Sequence, residues 1–337
     1  MSAGRVAVVG AGSWGTALAN LLARKGVPTR LWSHEPEVAE AIEREHVNPR
    51  YLSEVPLDPR LRATPEMAEA VEGAEVVVSV SPSHVVRQVM SSAVPFMRPD
   101  ALVVSASKGI EQDTLKTMDG VLGEVLPPEA ARGATYLSGP SFALEVGRGQ
   151  PTAVTIASHL DASAVRAQEL FQTDYFRVYT SRDVPGVELG GALKNVIAIA
   201  AGVVEGLGFG NNTRAALITR GLAEITRLGV ALGADPLTFA GLAGMGDLIL
   251  TCTGALSRNR SVGLELGQGR TLEAILGGMT QVAEGVRTAR SARDLARRTG
   301  IEMPIVQEVH AVLFEGRSPR EAAERLMLRE PKAEQWR

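Results

Sequence analysis

The sequence has 337 residues, of which 45% are hydrophobic and 22% charged, and its formal net charge at pH 7 is -3. This composition is typical of a globular protein, and the length exceeds one ordinary hydrophobic core, so we expect two domains. The small net charge gives no indication of a nucleic-acid partner or of an anionic membrane surface.

The cysteine content and the apolar runs bear on the compartment of the protein. Cys252 is the single cysteine, which excludes an intrachain disulfide and fits a reducing compartment. The opening MSAG leads directly into an apolar strand pattern, without the basic segment and cleavage site of a signal peptide. The apolar run VIAIAAGVV, residues 196–204, falls short of the roughly 20 residues that span a bilayer. We therefore expect a cytoplasmic protein with no transmembrane segment.

In the first half of the chain, short apolar runs alternate with helical patterns. Helical periodicity covers 14–25, 35–45 and 162–171, and a further helix opens near Ser83. The runs predicted as strands are RVAVV (5–9), PTRLWS (28–33), AEVVVSVS (74–81), ALVVSAS (101–107), ATYLS (134–138), TAVTIAS (152–158) and FRVYTS (176–181). Continuous apolar strands alternating with helices indicate a mainly parallel sheet covered on both faces, the doubly wound, Rossmann-like α/β class.

The first strand run is followed by the segment GAGSWG. Gly10, Gly12 and Gly15 have G-x-G-x-x-G spacing, directly after a strand and at the start of a helix. The glycines allow a tight turn, close approach of the backbone to a pyrophosphate, and close packing of helix on strand. The phosphates then lie at the positive end of the helix. The segment predicts that the α/β domain binds a dinucleotide.

The turn after the second strand run bears on which dinucleotide is bound. About 20 residues beyond the glycines, an acidic side chain binds the ribose 2′-hydroxyl of NAD in such folds. Here Ser33 and His34 occupy the turn, and Glu35 is the first acid. A hydroxyl and an imidazole can accommodate the 2′-phosphate of NADP, whereas Glu35 can bind a free ribose. The sequence therefore allows NAD(H) or NADP(H).

Two later loops carry polar groups where strand runs end. SASKGI presents Lys108, and LSGPSFA presents Gly139, Ser141 and Ala143. Ligands of doubly wound sheets bind beyond the carboxyl ends of the strands, so both loops are placed to line a site. Taken alone, each loop is equally well an ordinary turn.

Beyond about residue 183, only helical periodicity remains. It covers 186–206, 213–232, 236–243, 260–267, 271–276, 284–299 and 303–314. The pattern predicts an all-α second domain, with a boundary near 183–186. We therefore divide the chain into a dinucleotide-binding domain, 1–184, and a helical substrate-binding and catalytic domain, 185–337.

The first of these helices, in the stretch ELGGALKNVIAIAAG, carries one ammonium group within an apolar sequence. A lysine in such a place commonly extends its charge to water along the helix surface. The neighbours of Lys194 on its own face are mainly small, including Gly190, Gly191 and Ala198. Because a narrow face lets another group approach closely, we interpret Lys194 as directed at something bound.

Two further segments of the helical half carry polar groups. GLAGMGDLILTC places Asp247 after three closely spaced glycines, and SRNRS places Ser257, Arg258, Asn259 and Arg260 ahead of a short helix. Guanidinium, hydroxyl and amide donors at a helix start form a good receptor for a phosphate or carboxylate. The alternative is a plain solvated helix cap.

Lysine is rare in this chain, which has 30 Arg and 5 Lys. The lysines are Lys25, Lys108, Lys116, Lys194 and Lys332. Arginine stays protonated in proteins, whereas a desolvated lysine can release its proton near neutral pH. Because two of the five lysines fall in the candidate site, we expect a proton to move there.

The segments GAGSWGTALA, SKGI, GPSFA, GALKNVIAIAAG, GMGDLILTC and SRNRSVG together resemble the bacterial NAD(P)-dependent glycerol-3-phosphate dehydrogenases, from about residue 5 to about residue 320. The resemblance implies reversible reduction of dihydroxyacetone phosphate to sn-glycerol 3-phosphate with NAD(P)H, for glycerophospholipid synthesis. We also expect a homodimer and no metal in the site.

By the same resemblance, Lys194 is the proton-transfer lysine, and Lys108 and Asp247 complete the catalytic set. The implied substrate contacts are Lys108, Gly139, Ser141, Lys194, Asp247, Ser257, Arg258 and Asn259. The expected cofactor contacts are Gly10, Gly12, Ser13, Trp14, Gly15, His34, Tyr51, Lys108, Ala143, Arg258, Val282 and Glu284.

The residue types then predict a mechanism. Hydride transfer to the ketone creates negative charge on the C2 oxygen, which the Lys194 ammonium would stabilise and protonate. Lys108 would lower the pKa of Lys194 and Asp247 would raise it, and the sequence does not decide which effect is larger. Arg258 and Asn259 would hold the phosphate, so that its binding energy orients the carbonyl.

Two other functions remain open from sequence. Dehydrogenases of 3-hydroxy acids or of ketopantoate also combine an α/β cofactor domain with a helical domain, although SRNRS favours a phosphorylated substrate. A protein that senses NAD(P) without chemistry would leave Lys108, Lys194 and Asp247 unexplained.

Overall fold

The computed structural model of the protein describes residues 4–279, 281–331 and 333–334. Its strands are β1 (Val6–Val9), β2 (Thr29–Trp32), β3 (Arg62–Thr64), β4 (Val76–Ser79), β5 (Leu102–Ser105), β6 (Thr135–Ser138), β7 (Thr152–Ser158) and β8 (Phe176–Ser181). They form one sheet in the order β3-β2-β1-β4-β5-β6-β7-β8. Neighbouring strands are parallel, except that β6 and β7 are antiparallel. The predicted doubly wound, mainly parallel α/β fold is confirmed.

Helices cover both faces of this sheet. They are α1 (Ser13–Arg24), α2 (Pro36–Glu45), α3 (Met67–Val71), α4 (Val86–Ala93), α5 (Met118–Val125), α6 (Pro128–Arg132), α7 (Ala143–Gly147) and α8 (Asp161–Phe171). Along β1, Val6 and Val8 belong to one apolar core, and Ala7 and Val9 belong to the core on the opposite face. Since both faces are buried, the strands read as continuous apolar runs rather than alternating ones.

Some short elements of the structure were not predicted from the sequence pattern. Strand β3 has three residues, Arg62, Ala63 and Thr64, and therefore presents no apolar run. It pairs only with β2, at the edge of the sheet. The helices α5 and α6, of eight and five residues, were also not indicated by the sequence pattern.

The predicted all-helical second half is also confirmed within the described residues. Its helices are α9 (Val184–Gly206), α10 (Asn211–Ala231), α11 (Pro236–Ala240), α12 (Asp247–Thr253), α13 (Arg258–Gly267), α14 (Leu272–Gly277), α15 (Glu284–Thr299), α16 (Pro304–Phe314) and α17 (Pro319–Met327). The helix predicted over 236–243 ends at Ala240, and a π-helical turn, Leu242–Gly246, follows it. The change from strands to helices falls between Ser181 and Val184, and Lys332 lies outside the described residues.

Helix α9 is the centre of the helical half. By length and composition it is apolar enough to cross a membrane, with a mean hydropathy of 1.6, but 89% of its most apolar window is buried inside the protein. The core helix of a globular protein passes the same test. Here the neighbours α10, α12, α13 and α15 pack around α9 and occupy its surface.

The contact between α9 and α13 depends on glycines. A Cβ on Gly202 would lie 2.0 Å from the carbonyl oxygen of Arg260, and a Cβ on Gly263 would lie 1.9 Å from that of Ile199. No real Cβ makes contacts that short, so the two helices touch backbone to backbone. This close approach fixes the start of α13 against the middle of α9.

We predict that Gly202→Ala lowers the free energy of unfolding by about 1–3 kcal/mol, because the added methyl group forces two backbones apart. Urea unfolding of both proteins measures the difference. The matched control is Gly277→Ala, at a helical glycine where a Cβ meets nothing within 4 Å. Equal unfolding midpoints for wild type and Gly202→Ala would contradict the packing argument.

Candidate active site

A cleft of about 1180 Å³ opens beyond the carboxyl ends of β1, β2, β4 and β5. Loops that follow these strands form one wall, and α9, α12, α13 and the start of α15 form the other. The expected site residues that line it are Gly10, Gly12, Ser13, Trp14, Gly15, His34, Tyr51, Lys108, Ser141, Ala143, Lys194, Ser257, Arg258, Asn259, Val282 and Glu284. Residues far apart in sequence thus line one cavity.

The glycine turn at one end of the cleft has the shape of a phosphate cradle. Gly10 has φ +126°, a conformation that side chains with a Cβ rarely adopt, and a Cβ on Gly15 would lie 1.9 Å from the Gly10 carbonyl oxygen. Gly12 precedes α1, and a Cβ there would meet nothing within 4 Å. The first turn of α1 contains no acidic residue. An open helix N-terminus without side-chain obstruction fits the pyrophosphate of a dinucleotide.

The turn after β2 differs in one respect from expectation. Ser33 is fully buried and does not line the cleft, so its hydroxyl is not available to a ligand, which corrects the sequence-based interpretation. His34 is exposed and lines the cleft. The Glu35 carboxylate accepts a hydrogen bond of 2.6 Å from the Tyr51 hydroxyl and lies 3.6 Å from the Arg50 guanidinium. The acid at this position is therefore already held by two groups of the protein.

Three charged side chains meet at the other end of the cleft. The Asp247 carboxylate is almost completely buried, with 1% of the side chain exposed. The Lys194 ammonium donates to Asp247 Oδ1 and, over 2.9 Å, to Thr251 Oγ1. The Lys108 ammonium donates to Asp247 Oδ2 over 2.7 Å and to the Gly139 carbonyl over 3.3 Å. One carboxylate thus holds two ammonium groups, and both lysines line the cleft.

The pKa of Lys194 depends on its burial, on Asp247 and on Lys108, and the sequence did not decide which of the two neighbours has the larger effect. Burial is the largest influence on Lys194 and lowers its pKa to about 8. Asp247 opposes that shift, and its effect on the Lys194 pKa is larger than that of Lys108, which acts in the same direction as burial. Burial also acts to raise the pKa of Asp247, but the two ammonium groups outweigh it and hold that pKa below its usual value.

The backbone that places these groups depends on small residues. A Cβ on Gly190 of α9 would lie 2.5 Å from the Ala243 carbonyl oxygen, so the π-helical turn packs directly on α9 and directs the start of α12 beneath it. Asp247 is the first residue of α12, and Thr251 follows one helical turn later. A Cβ on Gly191 would lie 3.4 Å from Lys108 Cδ. The narrow face near Lys194 therefore admits other parts of the same chain, including Lys108.

The residues of the SRNRS segment have different roles, and several of them are engaged within the protein. The Ser257 hydroxyl caps α13 by accepting from the Arg260 amide, and the Arg260 guanidinium pairs with Glu205 over 2.6 Å. The Asn259 side chain donates to Asn195 Oδ1 and accepts from the Gly285 amide, both over 2.9 Å, which joins α9, α13 and α15.

Arg258 is the member of the segment whose guanidinium is left unpaired, although its charge acts on the Glu284 carboxyl, whose pKa burial raises and Arg258 acts to lower. It is exposed at the cleft, and within the described part of the chain no residue forms a hydrogen bond or ion pair with it. Of the groups in this segment, the Arg258 guanidinium is therefore the one that is left available to a ligand in the cleft.

Two expected site residues lie behind the cleft wall rather than on it. Asp247 lies beneath the lysines, and the Gly139 carbonyl accepts from Lys108 and from Ser141. Two residues that the sequence analysis did not single out, Asn195 and Thr251, also line the cleft. Thr251 lies four residues after Asp247, and this helical spacing could have identified it. Asn195 is adjacent to Lys194, a spacing that does not place two residues on one helix face, so its position required the structure.

The cleft combines a dinucleotide cradle with a lysine whose pKa lies close to neutral pH. A dinucleotide site beside a side chain that can exchange a proton is the arrangement used by enzymes that exchange a hydride with a dinucleotide. The molecule is an NAD(P)-dependent oxidoreductase that acts on a small molecule.

Comparison with known proteins identifies the family. The family description "NAD-dependent glycerol-3-phosphate dehydrogenase N-terminus" matches residues 5–164, and the corresponding "C-terminus" description matches residues 183–324. The protein named glycerol-3-phosphate dehydrogenase (NAD(P)+) in Geobacter sulfurreducens is 59% identical over 332 residues, which are 98% of this chain and 99% of that protein. The protein of the same name in Citrifermentans bemidjiense is 58% identical over 330 residues, 98% of each chain.

A crystal structure of glycerol-3-phosphate dehydrogenase from Coxiella burnetii superposes with a TM-score of 0.90, at 39% identity, over 97% of this chain and 99% of that one. The chain belongs to the NAD-dependent glycerol-3-phosphate dehydrogenase family, as the sequence motifs predicted.

We predict that Lys194 titrates near pH 8 in the free protein and that Asp247→Asn lowers this pKa further, because a carboxylate that favours the ammonium form is lost. The 13Cε chemical shift of Lys194, recorded as a function of pH in wild type and in Asp247→Asn, measures this pKa in each protein. Glu205→Gln removes a carboxylate from the same helix without touching Lys194 and serves as the control. A Lys194 pKa above 10 in wild type would show that burial does not dominate.

Proposed function

We propose that the protein catalyses the reversible NAD(P)H-dependent reduction of dihydroxyacetone phosphate to sn-glycerol 3-phosphate, for glycerophospholipid synthesis. The main support is the buried Lys194, which has a lowered pKa and lines the same cleft as the uncommitted Arg258. Consumption of NADH and of NADPH, each measured separately with dihydroxyacetone phosphate, tests the proposal. Failure to oxidise either cofactor with this substrate would overturn it.

In this proposal Lys194 is the proton donor. A bound nicotinamide would supply the hydride to C2 of the ketone. As negative charge develops on the C2 oxygen, the Lys194 ammonium stabilises it and delivers the proton, and in the reverse direction the neutral amine accepts it. With a pKa of about 8, Lys194 is mainly protonated at neutral pH and loses its proton at small cost.

Asp247 and Lys108 have supporting roles in the proposal. Asp247 holds the Lys194 ammonium in place through Oδ1 and keeps its pKa from falling further. Lys108 occupies Oδ2 of the same carboxylate and lines the cleft beside it, where it contacts substrate and cofactor. In the helical wall of the cleft, Arg258 binds the substrate phosphate. Asn259 joins α9, α13 and α15 and so fixes the position of Arg258 at the start of α13.

The cofactor contacts are proposed from the cleft wall. The glycine turn with Ser13 and Trp14 holds the pyrophosphate end, and His34 and Tyr51 receive the adenosine ribose. Arg50, which lies beside Glu35 and lines the cleft, adds a positive charge to this region. Ala143, Val282 and Glu284 line the remaining wall.

Three broader properties are inferred with the function. A cytoplasmic enzyme fits the single buried cysteine, Cys252. A dinucleotide-binding domain, 1–184, and a helical domain, 185–337, fit the change of secondary structure before Val184. A homodimer stays a prediction from the family resemblance.

Lys194→Ala should lower kcat by roughly 10²–10⁴-fold, the usual effect of losing a positioned acid–base group. Lys194→Arg should restore little of this loss, since guanidinium keeps its proton near neutral pH and the pocket formed by Asp247 and Thr251 is filled. Steady-state kinetics measure kcat, and cofactor Kd values, expected to be unchanged, are the control. A kcat close to the wild-type value in Lys194→Arg would show that Lys194 acts only through its positive charge and does not transfer a proton.

Arg258→Ala should lower kcat/KM for dihydroxyacetone phosphate by roughly 10- to 150-fold, corresponding to about 1.5–3 kcal/mol for a hydrogen bond between charged groups. The loss should largely disappear with unphosphorylated dihydroxyacetone. Arg260→Ala is the control on the same helix: its guanidinium is paired with Glu205, so it should affect both substrates by the same factor. An equal loss on both substrates in Arg258→Ala would show that Arg258 does not bind the phosphate.

A further inference from the structure

A second, much smaller cavity lies behind Lys108. Its volume is about 10 Å³, and it is enclosed by the ends of β5 and β6 and by the second turn of α9. Lys108 lines this small chamber as well as the large cleft. Ser107 also lines both cavities, so the chamber and the candidate active site share two neighbouring residues of one loop.

Three polar atoms in the chamber wall have no partner. Ser105 Oγ, Ser138 Oγ and Glu188 Oε2 are each shut off from solvent, and no described residue lies in hydrogen-bonding geometry with any of them. The Thr117 hydroxyl is near the Glu188 carboxyl and acts on its pKa, but it does not meet that geometry at Oε2. Leaving a buried polar group unpaired is energetically costly. One water molecule needs a cavity of at least roughly 10–15 Å³ and two to four polar partners, so the chamber is at the lower limit of size for one water.

We propose that one water molecule, bound by Glu188, Ser105 and Ser138, is a fixed part of this chamber, and that Glu188 acts through it as a positioning residue for Lys108. The water site stands on the chamber alone, whereas the effect on turnover rests on the proposed function.

The position of the three partners explains how such a water acts on the site. Ser105 and Ser138 are the last residues of β5 and β6, from which the chain enters the loops of Lys108 and Gly139. Glu188 lies on α9, six residues before Lys194. The water therefore joins the two loops to the helix that carries the other lysine.

Packing at Gly191 shows how closely these parts fit. A Cβ on Gly191 would lie 2.6 Å from Ser138 Oγ and 3.4 Å from Lys108 Cδ. Ser138 and Lys108 thus both pack against α9 at Gly191, and we infer that a change in this packing would displace the Lys108 stem. Because Lys108 holds Asp247 Oδ2, that displacement would be passed on to the carboxylate and to Lys194.

Glu188 is suited to this role as a neutral acid. Burial raises the pKa of its carboxyl to about 8, although the Thr117 hydroxyl and the Asp119 amide act to lower it. Its Oε1 accepts from the Asp119 amide over 3.0 Å, which leaves the other oxygen to donate a proton to the water. An uncharged Glu188 does not compete with Asp247 for the Lys108 ammonium.

A high-resolution crystal structure of the full chain tests the water directly. We expect density for one water within hydrogen-bond distance of the three oxygens in wild type. In Glu188→Ala we expect Lys108 Nζ to move away from Asp247 Oδ2. A dry chamber in wild type would overturn the proposal, as would an unmoved Lys108 in Glu188→Ala. Neither observation depends on which substrate the enzyme uses.

Kinetics with dihydroxyacetone phosphate test the positioning role. Glu188→Ala should lower kcat by roughly 10- to 100-fold with little change in KM, because a displacement of about 1 Å at the site is costly. Glu188→Gln, which keeps an acceptor for Asp119 and a donor for the water, should restore most of kcat. Ser138→Ala is the milder variant, to be used if Glu188→Ala folds poorly. It should lower kcat by roughly five-fold, which corresponds to the loss of one hydrogen bond.

Ser79→Ala is the matched control for these variants. Ser79 ends β4, and its hydroxyl is likewise buried and unpartnered among the described residues, but it does not line the chamber. Its kcat should equal that of wild type. A Glu188→Gln variant as slow as Glu188→Ala, or a Ser79→Ala variant as slow as Ser138→Ala, would overturn the positioning role. Absence of wild-type turnover would instead refute the proposed function and leave the crystallographic test of the water standing.

Discussion

The site depends on one buried carboxylate that is shared by two ammonium groups. Asp247 is enclosed, and a carboxylate taken out of water is tolerated only when its charge and its hydrogen-bonding capacity are satisfied. Lys194 from α9 and Lys108 from the loop after β5 supply both. The same bonds hold three distant parts of the chain in register, so the interaction that makes Asp247 burial possible also sets the geometry of the cleft. Removing either lysine would leave a charge that is only half compensated.

The close approach of backbones makes this arrangement possible. Gly190 admits the π-helical turn before α12, and Gly202 admits α13, so both helices that face Lys194 are positioned by contacts in which no side chain intervenes. Asn259 then joins α9 and α13 to the start of α15 through its amide. Backbone contacts of this kind leave little freedom for adjustment, which suits a site where small displacements change the rate. The glycine content of α9 therefore serves geometry more than flexibility.

The sequence predicted the features that depend on local pattern. Continuous apolar strands, the G-x-G-x-x-G turn and the unusual Lys194 each have a short-range signature, and the fold class follows from these patterns. The family was predicted from the resemblance of six segments taken together. What it did not reveal depends on contacts between distant residues. Ser33 is adjacent to the cofactor turn but faces the core, and Ser257 and Arg260 in the SRNRS segment are occupied by neighbours within the protein. The relative influence of burial, Asp247 and Lys108 on the Lys194 pKa required their positions in space. Strand β3 forms through pairing with β2, which no three-residue pattern encodes.

The burial of Cys252 has a consequence for the chemical robustness of the enzyme. This cysteine lies in α12 beside Thr251, one position from a direct contact of Lys194. Burial raises the pKa of its thiol to about 12, although the nearby Lys194 ammonium acts to lower it. Thiolate is the form that reacts with oxidants and electrophiles, and almost none is present at physiological pH. Since the chain has no other cysteine, thiol-modifying agents meet no readily ionised thiol in it. A loss of turnover in the presence of such agents would then reflect the supply of reduced cofactor rather than modification of a cysteine.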